Sequence, residues 1–189
     1  MRKKIFIVIG ILLLAYAAYF VYGIVTTRSH SPSETKSISH QGLDVKVVYG
    51  RPFKKERLIF GEEKDKALVP YGKYWRLGAN EATEITFSKD VAFGDIPVKA
   101  GSYRMYAVTQ PEAWTLTLNS ELGKFGYFEP NYALDVAKLD VSADTAPQET
   151  EQLTITFDPD STGVITMNIA WDKTLVMVPI AKADSTLVE

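Results

Sequence analysis

Alternation of apolar and polar residues with a period of two dominates the chain from residue 37 onward. In WTLTLN, Trp114, Leu116 and Leu118 share one face of an extended chain, and LTITFD and VITMNIAW repeat the pattern. Successive side chains of a strand point to opposite faces, so this period is typical of half-buried antiparallel strands. No long segment in this region shows a helical period. We therefore predict about eight to ten strands.

Turn-forming residues separate these runs, in the segments SKD, PVKAG, TQPEA, DPDSTG and DK. The run GSYRMYAV places Tyr103, Met105 and Ala107 on one face and Arg104 and Tyr106 on the other. Many short strands punctuated in this way indicate an all-β, antiparallel β-sandwich or jelly-roll-like domain. We predict this domain over residues 37–182.

Two acidic segments and the C-terminus are interpreted as a turn, a connection and a tail, and none of them as a binding site. DPDSTG (158–163) has spaced aspartates, but an EF-hand would need helices on both sides and a ligand at Ile169, so a hairpin turn is favoured. The acidic residues 142–152 are interpreted as a solvated connection, and residues 183–189 as a tail.

An uncharged apolar run, Ile5 to Val25, follows Arg2, Lys3 and Lys4. As a helix it would be about 31 Å long, which matches a hydrocarbon core of about 30 Å. The sequence therefore predicts a transmembrane helix, with the lipid bilayer as its partner. The alternative is a cleaved signal peptide, whose apolar stretch is usually about 7–15 residues and ends at a small-residue cleavage site.

The basic residues before the helix favour a cytoplasmic N-terminus, because positive flanks stay inside. Residues 1–4 are then a cytoplasmic stub, and the domain after the helix is extracytoplasmic, in the periplasm. Residues 26–36, TTRSHSPSETK, are polar and contain a proline, so they are predicted to be a short tether.

Composition excludes several classes of function. A net charge of −2 provides no field for gathering phosphates, so nucleic-acid binding is not expected. The chain has no cysteine and only two histidines, His30 and His40, which gives no recognisable metal-ligand spacing. It also has no Gly-x-Ser-x-Gly elbow. We predict no catalytic residues, no metal and no cofactor.

The segment YGKYWRLGANEATEITF (71–87) contains the best candidate site. Arg76 offers a planar set of donors that suits a carboxylate, Gly78 permits backbone conformations closed to other residues, and Asn80 can satisfy turn backbone groups. One interpretation is structural, with Arg76 paired internally to Glu81 or Glu84. The other is that Arg76 lines a groove for a peptide or a sugar. The candidate binding residues are Tyr49, Arg51, Trp75, Arg76, Asn80 and Glu81.

A carbohydrate-active hydrolase using Glu81 and a second carboxylate is the alternative function. Glu84 is three residues away, so on a regular strand the two side chains would point to opposite faces. Asp135 or Glu129 could supply the second group only through the fold.

Four segments together resemble a known family: YGRP (49–52), LVPYGKYWRLGANEATEITFS (68–88), AGSY (100–103) and VPI (178–180). The chain from Ser31 to about Lys182 is similar to domain of unknown function 2911, a family of bacterial envelope proteins found largely in Bacteroidota. Leu77 stands where threonine is expected.

The resemblance implies an exported, mainly β domain and brings no established activity. It marks the following positions as matching the family motif: Tyr49, Arg51, Pro52, Trp75, Arg76, Gly78, Asn80 and Glu81. Together with the missing catalytic set, it leads us to predict a non-catalytic binding or envelope-assembly module. Its partner would be an envelope glycan, a peptide or a protein.

Overall fold

The computed structural model describes residues 2–183, so Met1 of the predicted stub and residues 184–189 of the predicted tail lie outside the described residues. The described chain begins with the helix α1 (Arg2–His30), which contains the whole apolar run. Within residues 2–183, however, no helix combines the length and the hydropathy needed to cross a membrane. The prediction of a helix over residues 5–25 is confirmed, and the prediction of a transmembrane span is not supported.

Residues 26–36 do not form the predicted tether. The first of them complete α1, and β1 (Ser33–His40) follows after Ser31 and Pro32 alone. Proline has no N–H and disfavours the helical conformation of the residue before it, so α1 ends here. β1 pairs along its whole length with β2 (Leu43–Gly50), which supplies hydrogen bonds to a largely polar strand.

The remaining strands follow in chain order, interrupted by single-turn 3-10 helices at Glu63–Asp65 and Tyr132–Leu134. They are β3 (Phe60–Gly61), β4 (Val69–Pro70), β5 (Tyr74–Trp75), β6 (Thr83–Phe87), β7 (Val91–Phe93), β8 (Ile96–Val98), β9 (Gly101–Thr109), β10 (Ala113–Asn119), β11 (Asp135–Pro159) and β12 (Ile165–Lys182).

In the described chain, ten strands form one sheet in the order β1-β2-β6-β9-β10-β11-β12-β7-β8, with β5 beside β9. The pairs within this sheet are antiparallel, whereas β3 and β4 form a separate parallel pair. The predicted mainly antiparallel β fold is therefore confirmed.

The long strand β11 joins the two parts of the sheet. Residues 135–142 pair with β10, and the following residues pair with β12. The register shifts between Thr145 and Thr150 and again between Thr150 and Thr154, where bulges bend a strand. The acidic segment 142–152, predicted to be a connection, is part of this strand.

The core follows the predicted alternation on β10 and β12. The apolar faces of these strands are at most 1% exposed: Trp114, Leu116, Leu118, Ile165, Met167, Ile169 and Trp171. On β9, and at Thr117 and Asn119 of β10, the opposite face is covered as well. Arg104 and Tyr106, predicted for the face opposite Tyr103 and Met105, are buried as well.

The hairpin turn predicted at residues 158–163 is confirmed, since it joins β11 to β12. The Asp160 carboxylate accepts hydrogen bonds from the backbone N–H groups of Thr162 (2.8 Å) and Val164 (2.9 Å). Nε2 of His40 lies 2.8 Å from the carbonyl oxygen of Asp160. The Asp160 carboxylate thus stabilises the turn in which it lies, which is a common role of aspartate in tight turns.

Candidate functional site

A groove of about 250 Å³ lies where the segment after β5 meets β12 and the loop between β2 and β3. We call it the arginine groove, because two arginines contribute to its walls. Six wall residues matter for its chemistry: Arg57, Leu68, Trp75, Arg76, Asn80 and Trp171. Three of the six predicted site residues, Trp75, Arg76 and Asn80, therefore come together here.

Two tryptophans form a rigid part of the wall. Trp75 and Trp171 lie nearly parallel, with ring centroids 5.9 Å apart and an interplanar angle of 19°. Phe60 contacts both rings and also Trp114, with centroid distances of 5.0 to 6.0 Å. Packing with these aromatic neighbours fixes the two indoles before any ligand arrives.

The loop after Trp75 turns through two left-handed residues, Leu77 (φ 54°) and Asn80 (φ 62°). The prediction that Gly78 supplies the special backbone conformation was wrong, because its φ is not positive. Glycine is needed there for close approach instead. A Cβ on Gly78 would lie 2.8 Å from the carbonyl oxygen of Gly50.

Arg76 is half-buried, and its side chain has no hydrogen bond or ion pair with any other described residue. The predicted internal pair with Glu81 or Glu84 is therefore absent from the described residues. Gly126 packs against its stem, since a Cβ there would lie 2.6 Å from Cδ of Arg76. Burial lowers the pKa of Arg76, although the nearby Tyr74 and Tyr127 oppose this effect. The guanidinium is thus partly desolvated without compensation from a carboxylate.

Arg57 is the second arginine of the groove, and its side chain is held by backbone carbonyls. Nε donates to the carbonyl oxygen of Lys54 at 2.9 Å, and Nη2 donates to that of Phe53. Among the wall residues of the described chain there is no aspartate or glutamate. The arginine groove is therefore positively charged.

Asn80 positions the edge of the groove. Its side-chain Nδ2 donates to the backbone carbonyl oxygen of Ser31 at 3.2 Å, and its backbone carbonyl oxygen accepts from the N–H of Gly126 at 3.0 Å. Asn80 is only 7% exposed. It joins the start of the β domain to the loop that covers Arg76, so its side-chain amide has a structural partner.

Tyr49 and Arg51 do not line the arginine groove, contrary to the prediction. The Tyr49 hydroxyl donates to Glu34 (3.0 Å) and accepts from the N–H of Ile155 (2.8 Å). Burial, with Glu34 adding to it, raises the pKa of Tyr49 to about 12. Nε of Arg51 lies 2.9 Å from Glu34 and donates to the carbonyl oxygen of Leu153. Both side chains fasten β1 and β11 to β2.

Glu81 lies outside the arginine groove, in a separate cavity of about 320 Å³ that Glu84 also lines. Glu81 precedes β6, so the alternation of a regular strand does not apply to it. The argument for opposite faces assumed a regular strand through both residues, and that condition is not met at Glu81. Oε1 of Glu84 accepts from the N–H of Gly123 at 3.1 Å.

Comparison with known proteins decides the family. The family model described as "Protein of unknown function (DUF2911)" matches residues 31–180. The chain belongs to the DUF2911 family. Comparisons with curated proteins and with solved structures gave no match. The matched DUF2911 region begins directly after α1 and contains the whole wall of the arginine groove.

The DUF2911 region also contains a buried arginine that the sequence analysis did not select. Arg104 on β9 is 1% exposed, and its Nη2 donates to the hydroxyl of Tyr74 and to the carbonyl oxygen of Phe128. Its nearest carboxylate is Glu121, at 3.8 Å. Nε and Nη1 have no hydrogen-bond partner in the described chain. Arg104 is therefore the arginine that fastens a loop to the sheet. This is the internal structural role that one interpretation of the sequence gave to Arg76.

The sequence offers one signal for Arg104, which is its position in an alternating run. That position predicts an exposed side chain on the face opposite Tyr103 and Met105. The loop 120–131, which covers this face of β9, follows the next strand along the chain, and no local pattern shows that it folds over Arg104. The remaining carboxylates named in the sequence analysis lie elsewhere in the DUF2911 region. Asp135 accepts from Tyr106, and Glu129 accepts from Tyr132.

Proposed function

We propose that this DUF2911 domain is a non-catalytic binding module for a component of the cell envelope, and that the arginine groove is its binding site. The observation that carries the proposal is the state of Arg76. A structural arginine with this degree of burial is normally paired, because an uncompensated charge in a partly desolvated site costs free energy. A ligand acceptor in the groove would compensate that charge.

The rigid tryptophan wall supports the same proposal. Binding sites commonly combine aromatic and apolar walls with a few polar groups that orient the ligand. In the arginine groove the walls are held by the core, and the guanidinium of Arg76 is a polar group with no hydrogen-bond partner among residues 2–183. Little ordering of the protein is then needed when a ligand binds.

We further propose that the domain lies outside the cytoplasm, in the periplasm, and that residues 5–25 of α1 hold it at the lipid bilayer. Large apolar side chains of α1 are exposed, including Phe6 (70%), Leu14 (73%) and Tyr19 (77%). Contact with lipid would remove this apolar surface from water. The basic residues before α1 favour a cytoplasmic N-terminus.

We infer that the bent sheet is closed as a β-sandwich. Its support is the contact of aromatic rings from separate strands, since Trp114 of β10 and Trp171 of β12 both pack on Phe60. Such a scaffold would hold the arginine groove at one end while α1 holds the domain near the membrane.

Replacing Arg76 with glutamine tests the binding proposal. We expect the melting temperature of the full-length protein in detergent to change by only a few degrees, because the change in stability is less than about 1 kcal/mol for a side chain with no hydrogen bond or ion pair among the described residues. Binding to envelope glycans and peptides, measured by calorimetry, should weaken by about tenfold or more. Lys46→Gln removes one charge from an exposed position on β2 and should bind as the wild type does.

A large loss of stability in Arg76→Gln would contradict the proposal, since it would show a structural role. Equal binding by the wild type and by Arg76→Gln for every compound in the screen would also contradict it.

Cell fractionation tests the proposed membrane localisation. Full-length protein should sediment with membranes, and a protease added outside the cytoplasmic membrane should digest the β domain. We expect a variant with Leu12, Leu13 and Leu14 replaced by glutamate to lose membrane association, because charged groups are unfavourable in lipid. Recovery of the wild-type protein in the soluble cytoplasmic fraction would contradict the proposed localisation.

The second candidate function, a hydrolase, is supported by the cavity that Glu81 and Glu84 share. Glu129 lines a different cavity, with Tyr74 and Tyr106, and is not positioned beside Glu81. Envelope glycans incubated with the wild type and with Glu81→Gln would distinguish the candidates. Turnover that disappears in Glu81→Gln would favour the hydrolase over the binding module.

A further inference from the structure

The arginine groove has the charge of a site for an anion. Its wall contains the guanidinium groups of Arg57 and Arg76 and, among the described residues, no carboxylate. The five N–H groups of Arg76 have no hydrogen-bond acceptor in the described chain. A carboxylate fits the planar donors of a guanidinium with two parallel hydrogen bonds.

Most of the remaining wall residues are apolar, and the groove is small. Pro52, Leu68 and Val69 face the same groove as Trp75 and Trp171. Leu68 is 43% exposed, so its apolar surface is available for contact. The volume of about 250 Å³ is below the range of about 300–1,000 Å³ typical of sites for whole drug-sized molecules. It suits a single residue of a longer ligand.

The apolar part of the wall favours an apolar peptide end over a sugar. A sugar carries hydroxyl groups on most of its carbons, and these groups would lose water against Leu68 and the two tryptophans. The polar side-chain groups of the wall include the two guanidiniums, the Ser31 hydroxyl and the Asn80 amide, whose nitrogen is already bonded to the carbonyl oxygen of Ser31. Nε1 of Trp171 is buried and has no acceptor in the described chain. An apolar residue that ends in a carboxylate matches both the charge and the apolar surface of the groove.

We propose that the arginine groove binds the C-terminal residue of a peptide, with the free carboxylate at Arg76 and Arg57 and an apolar side chain against Leu68 and the two tryptophans. This inference rests on the proposed binding function and specifies its ligand. It uses the capture of a chain terminus, which is a recurring mode of peptide recognition.

A pair of synthetic peptides tests the proposal on the full-length protein in detergent. N-acetyl-glycyl-glycyl-leucine with a free carboxylate is titrated and compared with the same peptide ending in a carboxamide. We expect saturable binding of the free acid, accompanied by a change in tryptophan fluorescence. Binding of the amide should be weaker by about tenfold to a hundredfold, as when a hydrogen bond to a charged group is removed.

Two variants and a second ligand complete the test. Arg76→Gln should remove the preference for the free acid, whereas Lys46→Gln should retain it. The same free-acid peptide with aspartate in place of its C-terminal leucine should bind weakly, because it places a charged side chain against the apolar wall. A glucuronate-containing oligosaccharide serves as the other carboxylate source.

The outcomes separate this inference from the broader proposal. Equal binding of acid and amide, or binding of the oligosaccharide but not of the peptide, overturns the peptide-terminus assignment. In the second case, loss of oligosaccharide binding in Arg76→Gln would keep the binding function. Absence of Arg76-dependent binding for any envelope component rejects both.

Discussion

Gly50→Ala is expected to destabilise the β domain by about 3 kcal/mol or more, the upper end of what overpacking costs. An alanine Cβ at this position would lie 2.1 Å from the carbonyl oxygen of Ala79 and 2.9 Å from its carbonyl carbon. Both contacts are with backbone, so no side-chain rotation relieves them. The end of β2 and the loop that carries Arg76 would have to separate. Thermal melting followed by circular dichroism measures the effect.

Gly123→Ala is the matched control for backbone conformation alone. Gly123 has a φ of 71°, and a Cβ there meets no atom within 4 Å. The left-handed conformation costs a non-glycine residue about 1–2 kcal/mol, so Gly123→Ala should be the milder change. If Gly50→Ala melts at or above the temperature of Gly123→Ala, the close packing of Gly50 on Ala79 is not a stabilising feature.

Arg104→Ala is expected to lower the stability by about 3 kcal/mol, as large-to-small substitutions in cores do. This corresponds to a fall of roughly 6–12 °C in melting temperature for a domain of this size. Removing the side chain leaves a cavity under the loop 120–131. It also takes away the donor that bonds the Tyr74 hydroxyl and the Phe128 carbonyl oxygen. Chemical denaturation of the purified protein measures the loss.

Arg104→Met separates packing from charge. Methionine fills much of the same space, and it removes Nε and Nη1, which have no hydrogen-bond partner in the described chain. Replacing an imperfectly paired buried charge with an apolar side chain is often nearly neutral, so we expect about half the loss seen in Arg104→Ala, or less. A methionine variant as unstable as the alanine variant would show that the charge itself is needed there.

Arg104 and Arg76 show why sequence reasoning reached the site only in part. Both side chains stand beside aromatic residues in the chain, and either could form an internal pair. The sequence does not contain the position of the loop 120–131. That loop buries Arg104 completely and leaves the guanidinium of Arg76 in a groove.

The mixed outcome for the six predicted site residues has the same cause. Trp75, Arg76 and Asn80 are near neighbours in sequence, and the turn around Gly78 keeps them on one wall. Tyr49 and Arg51 were grouped with them by motif, but Glu34 and β11 hold these two side chains away from the groove. Glu81 comes just after the turn and faces a different cavity.

The sequence by itself determined the N-terminal helix, the mainly antiparallel strands and the apolar faces of β10 and β12. These features depend on local periodicity, which the backbone of a helix or strand imposes directly on the chain. Tertiary structure alone decided the order of the ten strands in the sheet, the burial of the second face of β9 and which residues line the arginine groove. Trp171, Arg57 and Trp75 meet there only after distant strands have paired, and no local pattern carries the information about which distant residues will become neighbours.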